Sequence, residues 1–239
     1  MGNGSKSKKH HWWPVALQWY WADSNGDVSW ITPGREPEKK RYKNENIGQT
    51  RRGHSLRPFG PWPNDFEEDF IIDNETHNII DALVGFTPEG IESGLVTHSF
   101  MEDEARRELL LFALSLIIRA PSNRHRFGLY PTMIGLPPSG EVGKANMNGH
   151  YRLARDMCTS SSLQGINFTV LYSTDPAFTY GDGCLDWLSP NLLIRRINGK
   201  ALLSLTPYIA IYISIPPFTR SDRNITAIRA TPFMIDRFN

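Results

Sequence analysis

The longest apolar run of the chain is Leu109–Ile118, which reads LLLFALSLII. If this run is helical, apolar side chains cover every side of the helix, and such a helix is buried. Pro121 follows closely and disfavours a helical conformation in the residue before it, so we expect the helix to end at about Arg119. The run is too short to span a bilayer. It therefore predicts the central buried helix of a globular core.

Two further helices are predicted in the middle of the chain. The predicted helices cover about 64–85, 100–119 and 145–164. Asn64 is the candidate N-cap of the first helix, and Gly85 lies near its end. Ser99 followed by Glu102 has the spacing of a capping box at the start of the second helix.

Beyond about residue 166 the sequence changes to short runs that are β-branched or alternate between apolar and polar residues. These runs predict strands at Asn167–Tyr172, Leu192–Ile197, Ala201–Leu205 and Tyr208–Ile215. Asn198-Gly199 is a hairpin signal between two of them, and Asn25-Gly26 predicts a hairpin near the N-terminus. A helical middle followed by mostly antiparallel C-terminal strands indicates an α+β fold.

Length and composition predict one domain in a soluble cytoplasmic protein. The chain has 239 residues, of which 40% are hydrophobic, and a chain of this size can bury a substantial core. We expect residues 1–9 to be a flexible tail and 10–239 a single domain, within which 33–63 is a long polar loop. The tail lacks the apolar run of a signal peptide, and we expect no membrane contact. Cys158 and Cys184 lack metal-binding spacing and are expected to be free thiols.

The charge distribution and the absence of several motifs narrow the candidate functions. The net charge is only +1, but an acidic block over about 58–110 separates two mildly basic segments. One interpretation is that the acidic and basic residues lie on solvated helix faces. The other is that the basic segments form a positive surface that binds phosphates. The sequence contains no P-loop, no GxGxxG after a strand, no GxSxG elbow and no HExxH. The absence of these motifs argues against a nucleotide-binding fold and against a serine hydrolase.

Two groups of basic side chains are candidates for catalysis or ligand binding. His10 and His11 are adjacent, and such a pair is suited to binding a metal, to acid–base work or to phosphate contact. The alternative is a surface or interface pair. Arg119 and Arg124 flank Pro121, and their planar guanidinium groups suit a phosphate or carboxylate. Alternatively, Arg119 stabilises the carbonyl groups at the end of its helix.

Acidic side chains form two further candidate sites. Asp175 directly follows the predicted strand Asn167–Tyr172, a position suited to a metal ligand or general base, but equally common for a residue that starts a turn. The acidic residues of the helix predicted over about 64–85 are Glu67, Glu68, Asp69, Asp73 and Glu75. Glu68 and Glu75 share one helix face, so they form either a paired-carboxylate metal site or part of a solvated surface.

Taken in order, several of these motifs are similar to a bacterial domain family of unknown function. The opening His10-His11-Trp12-Trp13-Pro14 resembles the family's His-His-x-x-Pro start, followed by an aromatic residue and a hairpin. Arg119, Pro121 and Arg124 match its Arg-x-Pro-x-x-Arg helix end, and Leu188-Ser189-Pro190 matches a later Leu-Ser-Pro element.

The chain departs from the family pattern at one motif. The strand end reads Ser173-Thr174-Asp175-Pro176-Ala177, where the family has Thr-Ser-Asp-Asn-Pro. The proline therefore comes one position early, and Ser and Thr are exchanged. The aspartate itself is retained, whereas the geometry of the loop after it is left open.

The resemblance implies that the ordered motifs form one site. The residues it groups as candidate catalytic residues are His10, His11, Arg119, Arg124 and Asp175. Histidine, aspartate and arginine in one cleft suit phosphodiester hydrolysis on a nucleic acid or nucleotide, with a divalent metal, Mg²⁺ or Mn²⁺, as candidate cofactor. By analogy, the resemblance suggests a defence or toxin effector nuclease. The alternative is a non-catalytic binding or interaction module in which Arg119 and Asp175 form a buried structural ion pair.

Overall fold

A computed structural model of the chain describes residues 9–32, 34–41, 47–51, 53–56, 64–65, 70–158, 163, 165–181, 200–215 and 224–239. Several sequence predictions lie outside these residues. They are residues 1–8 of the predicted tail, the strand Leu192–Ile197, the turn Asn198-Gly199, the Leu188-Ser189-Pro190 element, Cys184, and the acidic residues Glu67, Glu68 and Asp69. The last residue of the predicted tail, Lys9, lies in a strand.

The described residues form an α+β fold, as the sequence predicted. The α-helices are α1 Val15–Trp19, α2 Thr76–Val84, α3 Asp103–Arg119, α4 Pro121–Gly128, α5 Gly140–Met157 and α6 Pro232–Phe238, with 3-10 turns at Ile71–Glu75 and Tyr130–Ile134. The strands are β1 Lys9–His11, β2 Asp27–Trp30, β3 Glu38–Arg41, β4 Gln49–Arg51, β5 Ser55–Leu56, β6 Asn64–Asp65, β7 Val96–Phe100, β8 Asn167–Tyr172, β9 Lys200–Ser204, β10 Ile209–Ser214 and β11 Asn224–Arg229.

A five-stranded mixed sheet is formed from the strands of the second half together with β7. Its strand order is β7-β11-β8-β10-β9, and every neighbouring pair is antiparallel except β11 and β8. Alternate residues of β8 are buried, as expected for a strand with one face on the core. The small two-stranded sheets β1–β4, β2–β3 and β5–β6 lie in the N-terminal part of the chain.

Helix α3 is the central buried helix that its apolar run predicted. Every residue from Phe112 to Arg119 is buried, and the helix ends at Arg119 as expected. Arg106 ties the first half of α3 to the sheet, because its guanidinium lies 5.6 Å from the ring centroid of Phe168 in β8. The same side chain donates to the backbone carbonyl of Ile166 at 3.0 Å.

The starts of two predicted helices were wrong. Ser99 lies in β7, paired with Ile225 of β11, so no capping box forms and Glu102 is the N-cap of α3. Asn64 lies in β6, and α2 begins only at Thr76 after a 3-10 turn. Both residues suit a helix cap by their local chemistry, but in the fold each lies in a strand that pairs with another strand, and this pairing overrides the local preference.

The helices that follow α3 also differ from the prediction. Pro121 ends α3 but also begins α4, where a proline costs little at the first helical position. The third helix, predicted over about 145–164, runs instead from Gly140 to Met157. Its N-cap is Ser139, whose hydroxyl accepts from the Val142 N–H at 3.4 Å.

The N-terminal region differs in two ways from the prediction. Asn25-Gly26 does form a turn, with Gly26 at φ 78° and a single bridge between Ala22 and Val28. However, the aromatic segment before this turn contains α1 rather than a strand, and β2 pairs with β3. The described parts of 33–63, predicted as a loop, contain the short strands β3, β4 and β5. These strands are too short for an alternation of apolar and polar residues to be recognised in the sequence.

Candidate functional site

The strand that carries the two N-terminal histidines is held against β4. His10 lies opposite Thr50 in this antiparallel pair, and His11 lies opposite Gln49. Just beyond, the N–H groups of Trp12 and Trp13 both donate to the carbonyl of Gly48, at 2.8 and 3.0 Å. Gly48 has φ 61°, and a Cβ there would lie 2.5 Å from the Trp13 Cβ, so this close approach requires glycine.

His10 is buried, with 1% of its surface exposed. Its Nδ1 accepts a 2.7 Å hydrogen bond from the backbone N–H of His54, so the neutral imidazole carries its proton on Nε2. The His10 and His54 rings are stacked at 5.4 Å, and the His54 ring lies 4.9 Å from that of Phe70. The ring of His10 is therefore fixed in both orientation and tautomer.

Arg119 is held by a set of acceptors that uses each of its five N–H groups. Its two Nη atoms donate to the two carboxylate oxygens of Asp73 at 2.7 and 2.6 Å. Further bonds go to the Ser115 carbonyl at 3.2 Å, the Ser115 Oγ at 2.9 Å and the His11 carbonyl at 3.3 Å. The guanidinium also lies 4.5 Å from the ring centroid of Phe70.

This arrangement gives Arg119 a structural role and corrects the expected ion pair. The carboxylate that pairs with Arg119 is Asp73, from the 3-10 turn before α2, and not Asp175. The Arg119 side chain is 0% exposed and that of Asp73 is 25% exposed, so the pair is nearly closed to solvent. It joins the end of α3 to the Asp73 turn and to the strand that carries His11.

A cleft of about 380 Å³ lies where β1 and β4 meet the ends of three helices. Its lining residues are His10, Trp12, Thr50, His54, Arg119, Pro121, Arg124, His125, Gly128 and Gly140. Two arginines and three histidines are among them, and none of these described lining residues is acidic. The cleft is therefore electrostatically suited to an anion. We refer to it below as the histidine–arginine cleft.

Arg124 is the cation of this cleft that remains available to a ligand. It is partly buried on α4, and within the described part of the chain it makes no hydrogen bond and no ion pair. Burial lowers the pKa of its guanidinium, and the nearby charge of Glu141 partly opposes this shift. An arginine nevertheless stays charged at neutral pH. A Cβ on Gly53 would lie 3.1 Å from the Arg124 Nη1, so this glycine leaves space for the guanidinium.

Two helix beginnings also contribute positive potential to the cleft. Pro121 is the first residue of α4 and Gly140 is the first residue of α5, and both line it. Helix N-termini carry partial positive charge and unsatisfied N–H groups. His125 follows Arg124 on α4 and is exposed. It therefore offers a solvent-accessible imidazole that lines the same cleft and is suited to proton transfer.

The structure brings three of the five grouped residues to the cleft: His10, Arg119 and Arg124. His11 is not among the lining residues, and its carbonyl instead accepts from Arg119. Asp175 is exposed beyond the end of β8 and does not line the cleft either. Its N–H donates to Ser173 Oγ at 3.3 Å, which is the geometry of a turn.

A second, larger cavity of about 880 Å³ lies near Asp175, between α1, α2 and the ends of β8 and β10. Its wall combines aromatic side chains, among them Trp19, Tyr20 and Tyr208, with aliphatic and polar residues. The Tyr20 hydroxyl is hydrogen-bonded to His77 Nδ1 at 2.8 Å, and burial raises the pKa of this phenol. The charged side chains of Asp23 and Arg41 are already paired, with Lys39 and Asp27 respectively.

Neither a metal cluster nor an activated thiol is found in the described part of the chain. No group of three or more His, Cys, Asp or Glu side chains among the described residues is arranged to hold a metal ion. Asp73, one of the predicted acidic residues, pairs with Arg119, while Glu75 accepts from Asn78 at 2.7 Å. Burial raises the pKa of the free Cys158 thiol to about 12, so it stays protonated at neutral pH.

Trp12, His54 and His125 are among the cleft residues that sequence reasoning missed. Trp12 stands inside the His10-His11-Trp12-Trp13-Pro14 motif and His125 directly follows Arg124, but nothing in their spacing separates a cleft residue from a neighbour. His54 lies in the segment predicted as a loop, and only the fold brings it beside His10.

Comparisons of the chain with protein-family models, with curated proteins and with solved structures find no match. Among the described residues, no helix has the length and apolar character needed to cross a membrane.

Proposed function

We propose that the chain hydrolyses phosphodiester bonds of a nucleic acid or nucleotide in the histidine–arginine cleft. The observation that carries this proposal is Arg124, a partly buried guanidinium that forms no hydrogen bond or ion pair with a described residue, with only the nearby charge of Glu141 acting on it among the described groups that shift its pKa. It lines a cleft whose described lining residues include no carboxylate. A charged group in that position gains a strong partner when a phosphate binds. The helix beginnings at Pro121 and Gly140 add partial positive charge at the same place, which the carboxylate of Glu141 in the first turn of α5 partly offsets.

The roles follow from exposure and from what each side chain already contacts. Arg124 holds the phosphate and stabilises the negative charge that develops on its oxygens. His125 takes a proton from the attacking water as its oxygen bonds to phosphorus. The bond from phosphorus to the leaving oxygen breaks, and that oxygen takes a proton from solvent. His10 and His54 form the fixed wall, and Arg119 holds the cleft in shape.

Hydrolysis of labelled single-stranded and duplex DNA and RNA, and of bis(p-nitrophenyl) phosphate, tests this proposal. Each assay is run with Mg²⁺, with Mn²⁺ and with EDTA, since a divalent cation remains part of the proposal. We expect Arg124→Ala to lower kcat/KM by roughly 10²–10³-fold, the usual cost of removing one donor to the transition-state charge. We expect His125→Ala to lower it by roughly 10²–10⁴-fold.

Arg126→Ala is the matched control, because Arg126 is exposed on the same helix and does not line the cleft. It should keep kcat/KM within about twofold of the wild type, as is usual for a surface change away from a site. No hydrolysis of any substrate by the wild type, or equal losses in Arg124→Ala and Arg126→Ala, contradicts the proposal.

A second candidate is a non-catalytic module that binds the phosphate backbone in the same cleft. It is supported by the engagement of all five Arg119 donors and by the burial of His10, as expected for motifs that hold the fold together. In that case the wild type binds an oligonucleotide through Arg124, but no substrate is turned over. His125→Ala then binds as the wild type does.

A further inference from the structure

The tryptophans of the structure differ in what their rings contact. The described tryptophans are Trp12, Trp13, Trp19, Trp21 and Trp30. Trp13 contacts the rings of Trp21, Trp30 and Tyr180, with centroids 4.7 to 6.4 Å apart. Trp19 contacts Tyr20 and His77. These four rings therefore have aromatic partners inside the fold.

Trp12 is the exception among these five. It has no aromatic or cationic ring partner in the part of the chain that the structure describes, although it is partly exposed and packs on the edge of the core. It lines the same cleft as Arg124, which forms no hydrogen bond or ion pair with a described residue. An indole without a ring partner and a guanidinium without a hydrogen bond or ion pair, both judged among the described residues, thus border one 380 Å³ space.

We infer that the ligand of this cleft is a single-stranded nucleic acid, with one unpaired base stacked on Trp12 and a neighbouring phosphate bound by Arg124. The inference rests on the proposed function and names its substrate class. Indole faces stack on bases of any sequence, and sequence-independent single-strand binding combines such stacking with cationic groups along the backbone.

The size of the cleft favours one nucleotide over a duplex segment. Its volume lies near the lower end of the roughly 300–1,000 Å³ range of ligand pockets. A base in a duplex is stacked on both faces and reaches a side chain only after it is unstacked, which costs free energy. A single strand offers an unpaired base without that cost, so it should bind more tightly than the same sequence in a duplex.

Fluorescence anisotropy with labelled 12-mers tests the inference. The probes are a single strand, its duplex, and a single strand whose sites are abasic, so that the phosphates remain and the bases are missing. Trp12→Ala should weaken binding of the normal single strand by roughly 5- to 150-fold, the range reported for removing one stacking partner. Trp12→Phe should restore most of the affinity.

The abasic strand separates stacking from a merely structural role of Trp12. The wild type should bind it about as weakly as Trp12→Ala binds the normal strand, and Trp12→Ala should cause no further loss on it. Arg124→Ala should weaken binding of both strands. Trp19→Ala is the matched control, because that indole is exposed and borders the other cavity; it should bind as the wild type does.

Each contrary result overturns the inference. These results are equal affinity for duplex and single strand, equal affinity for abasic and normal strands, or tighter binding of a phosphotyrosine peptide, which also offers a ring and a phosphate. If Trp12→Ala fails to fold, two measurements still test the inference. They are the affinity of the wild type for abasic against normal strands, and the affinity of Trp12→Phe for the normal strand. Stacking-dependent binding without hydrolysis contradicts only the proposed function. Arg124-dependent hydrolysis without a Trp12 effect contradicts only the inference.

Discussion

Arg119 and Arg124 differ in role although one short motif contains both. Arg119 has every donor committed to acceptors of the fold, above all the carboxylate of Asp73. Arg124 has no such acceptor among the described residues and borders the cleft. Removing a carboxylate from a closed pair leaves a buried charge without compensation, whereas changing an exposed side chain disturbs little.

Asp73 and Asp175 should therefore respond oppositely to truncation. Asp73→Ala leaves the fully buried Arg119 guanidinium without its carboxylate, and we expect the free energy of unfolding to fall by about 3–5 kcal/mol. Asp175→Ala removes an exposed carboxylate in a turn and should change that free energy by less than about 0.5 kcal/mol. Urea denaturation of both variants measures the difference. A loss as large in Asp175→Ala as in Asp73→Ala would show that the wrong carboxylate was paired.

Part of the site could be predicted from residue types alone, but the carboxylate that pairs with Arg119 could not. Arginine beside a helix end and adjacent histidines correctly indicated polar residues at element ends, and His10, Arg119 and Arg124 do line one cleft. The partner of Arg119 lies 46 positions earlier in the chain. No local pattern distinguishes Asp73 from the other acids near it, because the pairing depends on how the turn before α2 packs against α3.

At the scale of elements, the packing of α4 on α5 depends on a glycine. Gly143 is buried in α5, and a Cβ there would lie 3.1 Å from the Gly128 N and 3.2 Å from the Arg124 carbonyl. These are backbone atoms of α4, which cannot rotate aside as a side chain can. This contact fixes the distance between the two helices and so the position of the helix that carries Arg124 and His125.

Gly143→Ala should consequently destabilise the protein, whereas Gly149→Ala in the same helix should not. A Cβ on the exposed Gly149 would meet nothing within 4 Å, so that variant should gain about 0.5–1 kcal/mol from the better helix propensity of alanine. At Gly143 overpacking, at a cost of about 1–3 kcal/mol, should outweigh that gain. Thermal denaturation measures both variants. A stabilised Gly143→Ala variant would show that α4 and α5 are not in close contact.

Helices and strands with a strong pattern in their own sequence were predicted, whereas those whose formation depends on pairing with residues far along the chain were not. Helix α3 was predictable because its apolar run is long, and β8 because its residues alternate. Strand β7 was missed since its residues matched a helix cap locally, and its place at the sheet edge depends on β11, more than a hundred residues later. The short strands β4 and β5 have too few residues for any period to be detected.

At the scale of the whole molecule, the fold separates two cavities of different character. The histidine–arginine cleft lies where the β1–β4 pair meets α3, α4 and α5, and its charged lining residues are cationic. The larger cavity lies between α1, α2 and the sheet, and its wall mixes aromatic, aliphatic and polar residues with the charged side chains Asp23 and Arg41 already paired. Judged by the described lining residues, the first cavity is therefore the one whose positive charge is available to attract a phosphate.

The salt dependence of oligonucleotide binding tests most directly whether Arg124 binds a phosphate in this cleft. The slope of log K against log salt concentration reports the number of phosphates neutralised, and loss of one phosphate contact reduces it by about 1. The control is Arg155→Ala, near the opposite end of α5 and about 22 Å from Gly140 along the helix axis. We expect Arg124→Ala to reduce the slope by about 1 and Arg155→Ala to leave it unchanged. Equal slopes for the wild type and Arg124→Ala would contradict the account.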